Sequence, residues 1–148
     1  MKRRFWKEKY RLGIDVLDED HMAICAIMDR FVEATQTGPA NPGAEAIFRE
    51  LRAKLEEHFK TEERYLAKIG FPADTLRNHI DGHLDVLYTF DHEFSKWEGT
   101  PEGAAPSGDL SSVCTWVWTE LVRADTDVGR RLQALKEEQR LGLLPAPT

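Results

Sequence analysis

The fold of this 148-residue chain is decided by residues 58–83, which read HFKTEERYLAKIGFPADTLRNHIDGH. Apolar residues recur every three or four positions on both sides of Gly70, which is the period of an amphipathic helix. Gly70 is a natural helix stop, and Phe71-Pro72 is a short connection. The stretch therefore predicts two helices, over 42–69 and 73–97, that run in opposite directions.

The same apolar period continues outward and predicts two more helices, over 17–37 and 109–141. Asp18 is the expected N-cap of the first of them. No run of alternating apolar and polar residues is bounded by turn residues, so no strand is expected. We predict an all-α fold, an antiparallel up-down-up-down four-helix bundle. Its parts are a single domain at 1–148, a non-helical N-terminal arm at 1–16 and a tail at 142–148.

Composition narrows the class of protein. The formal net charge is -6 and the pI is about 5.4, so neither nucleic acid nor an anionic membrane is expected as a partner. No stretch approaches the roughly 20 apolar residues of a membrane helix, and the basic N-terminus lacks the apolar run of an export signal. We therefore expect a cytoplasmic protein. Cys25 and Cys114 show no CxxC spacing, so neither a disulfide scaffold nor a thiolate zinc site is indicated.

Histidines on apolar helix faces are the residues that indicate the chemistry of this protein. Residues four apart share a helix face, so His58 with Glu62, and His79 with His83, form two pairs that can each reach one point in the core. His21 begins the first helix. A buried glutamate beside a histidine is costly unless it is paired or bound to metal, which favours ligation. Because the three helices place these groups at matching ends, the sequence predicts a metal site in one layer of the bundle.

The ordered pattern resembles the hemerythrin family of non-haem di-iron proteins, in particular its bacterial single-domain members. The resemblance rests on FWKEKYRLGIDVLDEDH at 5–21, HFKTEE at 58–63 and FPADTLRNHIDGH at 71–83, and it extends to about Asp127. It implies two iron ions joined by an oxo or hydroxo bridge as the cofactor. The ligands that it implies are His21 and His58 for one iron, His79 and His83 for the other, and Glu62 as a bridge between them.

One position departs from the family pattern. The family has a motif similar to Trp-Leu-x-x-His-Ile-x-x-x-Asp, where this chain has WVWTELVRAD at 116–125. In this register Glu120 stands at the expected fifth histidine and Asp125 at the second bridging carboxylate. An alternative register makes Asp127 the bridge, but it puts the apolar Val122 at the histidine position and supplies no ligand there.

The resemblance implies a protein that binds dioxygen at a carboxylate-bridged di-iron centre, for storage, delivery or sensing. Glu120 exchanges a neutral donor for an anion, which favours ferric iron. The alternative is therefore a di-iron oxidase or peroxidase that reacts with dioxygen or peroxide and takes electrons from a donor partner. Histidine and carboxylate ligands also admit other divalent metals. The sequence leaves open whether the chain is an enzyme and what its oligomeric state is.

Overall fold

The computed structural model describes residues 3–36, 42–98 and 110–142. No strand occurs in these ranges. The helices are a 3-10 turn at Glu8–Tyr10, α1 at Asp15–Gln36, α2 at Pro42–Lys68, α3 at Ala73–Glu98 and α4 at Leu110–Arg140. Both α1 and α3 pack against α2 and α4, so the four long helices form a closed ring. The predicted all-α four-helix bundle is confirmed.

The helix bounds agree with the predicted ones to within two residues, and the starts at Pro42 and Ala73 are identical. The first helix begins at Asp15 rather than at Leu17, because the backbone N–H groups of Leu17 and Asp18 both donate to the carbonyl of Ile14. The arm, expected to be non-helical, contains the single turn Glu8–Tyr10. The predicted boundaries at residues 37 and 109 and the tail from residue 143 lie outside the described residues.

Asp18 has a different role from the predicted helix N-cap. Its buried carboxylate accepts hydrogen bonds from the backbone N–H groups of Leu12, at 2.7 Å, and Gly13, at 3.0 Å. Gly13 has a φ of +84°, in the left-handed region that favours glycine, and this conformation turns the chain from the arm into α1. Asp18 therefore fastens the arm to the first turn of α1.

Two apolar clusters fill the bundle and leave a gap between them. In the larger cluster Phe48 stacks on Phe90, with ring centroids 4.0 Å apart. The smaller cluster consists of Leu66, Phe71, Val128 and Leu132. Burying a side chain of this size stabilises a fold by about 1.5–3 kcal/mol, so these clusters are the main source of stability. Along α2 the larger cluster ends at Phe59 and the smaller begins at Leu66, and the turns between them carry polar residues.

The composition also leads to expectations about membrane crossing and about the two cysteines. No helix among the described residues combines the length and the apolar character that a membrane crossing needs. Cys25 and Cys114 are both buried, and neither forms a disulfide. Burial raises the pKa of Cys25, which keeps this thiol protonated and unreactive.

Candidate metal centre

Six polar side chains from the four helices meet in one layer between the two apolar clusters. Each of these side chains is at most a tenth exposed. They are His21 from α1, His58 and Glu62 from α2, His79 and His83 from α3, and Asp125 from α4. The structure thus brings together all of the proposed site residues except Glu120.

Glu62 lies at the centre of the layer, and its two oxygens face different histidine pairs. Oε2 is 3.1 Å from Nε2 of His58 and 3.8 Å from Nε2 of His21. Oε1 contacts Nε2 of His79 and is 3.5 Å from Nε2 of His83. One carboxylate is therefore shared between two groups of nitrogen donors.

Asp125 joins the layer from α4. Its Oδ2 lies 3.1 Å from Nε2 of His21. Asp127, which the alternative register makes the bridge, is exposed and faces Arg130 across 4.0 Å. Only the register that uses Asp125 brings a carboxylate from α4 into the layer.

Two acidic residues outside the predicted set fix the orientation of the histidine rings. Nδ1 of His58 is 3.0 Å from Oδ2 of Asp20, and Asp20 also accepts a hydrogen bond from Lys54 at 3.0 Å. On the other side, Nδ1 of His83 is 3.0 Å from Oε1 of Glu63. A carboxylate only accepts hydrogen bonds, so each Nδ1 carries a proton and each Nε2 points into the layer.

Sequence reasoning missed Asp20 and Glu63, although a signal was present. Each is the chain neighbour of a predicted ligand, His21 or Glu62. Adjacent residues in a helix are about 100° apart, so such a neighbour faces the next helix rather than the metal layer. An acidic residue beside a histidine or glutamate ligand is therefore placed to hold a histidine of the adjacent helix.

The donor atoms in the layer fit metal ions. Two groups, His21 with His58 and Glu62, and Glu62 with His79 and His83, each have their ligand atoms within 4.8 Å of one another. Nε2 of His21 and Nε2 of His58 are 3.0 Å apart, and Oε2 of Glu62 is buried without a hydrogen-bond partner. Lone pairs that converge in this way repel one another unless a proton or a cation lies between them. Imidazole and carboxylate donors suit iron, zinc and manganese.

In the metal-free chain, protons must offset the buried carboxylates. Burial opposes ionisation of Glu62, but the four surrounding histidines hold its pKa well below the usual range. Burial also opposes the charge on His58, but the nearby carboxylates of Asp20 and Glu62 outweigh it and raise the pKa of His58 to about 9. Burial raises the pKa of Asp125 to about 7, because it outweighs the attraction of His21.

Glu120 lies next to the layer but outside both groups of donor atoms. Its side chain is 27% exposed and forms an ion pair with Arg123, one turn further along α4. Together with His79 and His83, it lines a cavity between α3 and α4. The proposed ligation by Glu120 therefore stays a prediction, and it requires the carboxylate to leave Arg123.

The N-terminal arm covers the His21 side of the layer. The ring of Trp118 packs edge-on against His21 with centroids 6.5 Å apart, and Tyr10 packs edge-on against Trp118 at 5.4 Å. A small cavity of about 210 Å³ lies under the arm and reaches His21 and Asp125. The arm therefore separates this half of the site from bulk water.

Comparison with known proteins finds one matching family model and one similar relative. A family model described as the hemerythrin HHE cation binding domain matches residues 12–139. The chain is similar to a bacteriohemerythrin of Clostridium acetobutylicum, with 33% identity over 69 residues. The match covers 45% of this chain and 54% of the relative, so it spans about half of the relative's length. No solved structure gives a significant match.

The Asp20–His58 hydrogen bond predicts a loss of metal affinity when its charge is removed. We expect Asp20→Asn to lower the affinity for a divalent metal about 10- to 100-fold, because the ring of His58 is no longer held with Nε2 inward. Competition with a chelator measures this affinity, and circular dichroism checks the fold. Glu19→Gln, which changes an exposed acid next to Asp20, is the control. Equal affinities for Asp20→Asn and the unchanged protein would contradict the orienting role.

The raised pKa values predict that metal and protons compete. Below pH 9 the metal must displace the proton of His58, so apparent affinity should rise about tenfold per pH unit from pH 7 to 9. Below pH 7, protonation of Asp125 makes the metal affinity depend more steeply on pH. Above pH 9, His58 has lost its extra proton, so its effect on the affinity levels off. Titration with zinc(II) against a chelator of known protonation constants tests the profile. An affinity that does not change between pH 6 and 9 would show that these groups take no part.

Proposed function

The chain belongs to the hemerythrin family, and from that premise we propose that it binds a pair of iron ions, which in turn bind dioxygen. His21 and His58 hold one ion, and His79 and His83 hold the other. Glu62 bridges them, and Asp125 is the second bridging carboxylate. The observation that carries the proposal is the position of Glu62, whose two oxygens face the two histidine pairs separately.

When bound, the iron pair supplies the electrons that dioxygen binding requires. The protein's own residues have other tasks. Asp20 and Glu63 keep a proton on Nδ1 of His58 and His83, so that Nε2 is free to bind metal. The two apolar clusters above and below the layer, together with Trp118 of α4, exclude water and strengthen the electrostatic interactions inside.

An iron count and optical spectra test this proposal. The anaerobically reduced protein should contain two iron ions per chain, and air should produce a visible absorption band that disappears when oxygen is removed. Glu62→Gln keeps the shape of the side chain and removes its charge, so it should lose at least one of the two ions. Glu57→Gln, at an exposed position directly before His58 in the chain, should keep both. A purified protein that takes up little iron, or a Glu62→Gln variant with full iron, would overturn the proposal.

Glu120 favours a second function, in which the centre acts as an oxidase or peroxidase. Its carboxylate lines the same cavity as His79 and His83, where the family pattern has a neutral histidine. An anion next to the metals stabilises ferric iron and works against reversible oxygen binding. In this function an electron donor returns the iron to the reduced state. That partner, the cytoplasmic location and the single-domain extent of 1–148 stay predictions.

Replacing Glu120 distinguishes the two functions. We expect Glu120→His to slow autoxidation of the reduced protein about tenfold, since it removes an anion from beside the metals. The measurement is the rate at which the reduced protein is lost in air-saturated buffer. Glu120→Gln separates the effect of charge from the effect of an added imidazole, because it also removes the anion but adds no strong ligand. If both variants oxidise at the original rate, the charge of Glu120 has no influence on the metals.

A further inference from the structure

The cavity between α3 and α4 is larger than dioxygen requires. Its volume is about 590 Å³, and His79 and His83 form part of its wall. Sites for small organic molecules commonly have volumes of about 300–1,000 Å³. The size of the cavity therefore suits an organic ligand that lies directly beside one half of the metal centre.

Gly82 keeps the cavity open next to the two histidines. It lies on α3 one residue before His83 and also lines the cavity. A Cβ atom added at Gly82 would meet no heavy atom within 4 Å, and the backbone there has ordinary helical geometry. The absence of a side chain at this position therefore leaves room that a larger residue would fill.

The walls of the cavity combine apolar groups with charged ones, and its three arginines outnumber its two acidic residues, Glu120 and Asp127. The apolar side chains come from both helices and from the turn before α3, and they include Phe71, Val86, Leu121 and Val128. Three arginines of α4 also line it, at positions 123, 130 and 131. A ligand that satisfies both kinds of wall has an apolar body and an anionic group.

Two of the three arginines form ion pairs with acidic residues of α4. Arg123 pairs with Glu120, and Arg130 faces Asp127 across 4.0 Å. Arg131 forms no ion pair with any residue that the structure describes. The cavity therefore has an uncompensated positive charge in a chain whose formal net charge is -6. Arginine binds carboxylates with paired hydrogen bonds, which makes a carboxylic acid a suitable anion.

We propose that this cavity binds a small organic carboxylic acid with an apolar body. Its carboxylate binds Arg131, with Arg123 and Arg130 nearby, and its body packs against the apolar wall beside His79 and His83. The inference rests on the proposed function in one respect, because it makes this acid the second molecule at the di-iron centre. An inorganic anion would use the arginines but not the apolar wall.

Calorimetric titration of the iron-loaded protein with octanoate tests the site, and 1-octanol serves as the neutral counterpart. Octanoate should bind once per chain and at least about tenfold more tightly than 1-octanol. Gly82→Leu should weaken octanoate binding more than about tenfold by filling the cavity, whereas Gly82→Ala should change it by less than about twofold. Arg131→Gln should weaken it about fivefold. Arg64→Gln, at an exposed arginine of α2 outside the cavity, is the matched control.

Three results would overturn the inference. They are equal affinities for octanoate and 1-octanol, unchanged octanoate binding in Gly82→Leu, and no binding of octanoate to the unchanged protein. Unchanged binding in Arg131→Gln would likewise remove the role of the arginine. An iron count on the same samples separates the two proposals. A protein that contains two iron ions per chain but does not bind octanoate overturns this inference alone. A protein that binds octanoate but takes up no iron supports the cavity site and overturns the di-iron function.

Discussion

A carboxylate at the centre of an apolar bundle must be offset by positive charge, and this constraint governs the structure around Glu62. An unpaired buried charge is among the most costly features that a fold can contain. Here four histidines from three helices surround the carboxylate. In the metal-free chain the required charge is held as protons, and His58 shows this most clearly through its raised pKa. Bound metal ions would supply the same positive charge while the histidine ligands stay neutral.

The acidic residues around the layer follow from the same requirement. Asp20 and Glu63 face the outer nitrogens of His58 and His83, so that the inner nitrogens remain directed at Glu62. Lys54 offsets the charge of Asp20 through a half-buried ion pair at 3.0 Å. The two apolar clusters shield the layer from water above and below. This shielding raises the free-energy cost of leaving the carboxylates without a counter-charge and strengthens their attraction to a bound cation. Stability and metal binding are therefore coupled in this bundle.

The fold and most of the site follow from periodicity in the sequence. The apolar spacing of three and four predicts the helices, and the same spacing puts His58 with Glu62 and His79 with His83 on shared faces. Contacts between helices are not periodic, so periodicity alone does not predict the hydrogen bonds of Asp20 and Glu63, and the only sequence signal for them is their place beside the predicted ligands His21 and Glu62. The position of Glu120 depends on its competition with Arg123, which a motif does not describe. The large cavity depends on the packing of α3 against α4.

A crystal structure of the iron-loaded protein, with anomalous scattering recorded at the iron absorption edge, is the most direct test of the two-metal centre. We expect two iron peaks, one bound by Nε2 of His21 and His58 and the other by Nε2 of His79 and His83. One oxygen of Glu62 should bind each ion. A single peak, or iron bound away from Glu62, would contradict the claim that this buried carboxylate organises a two-metal centre.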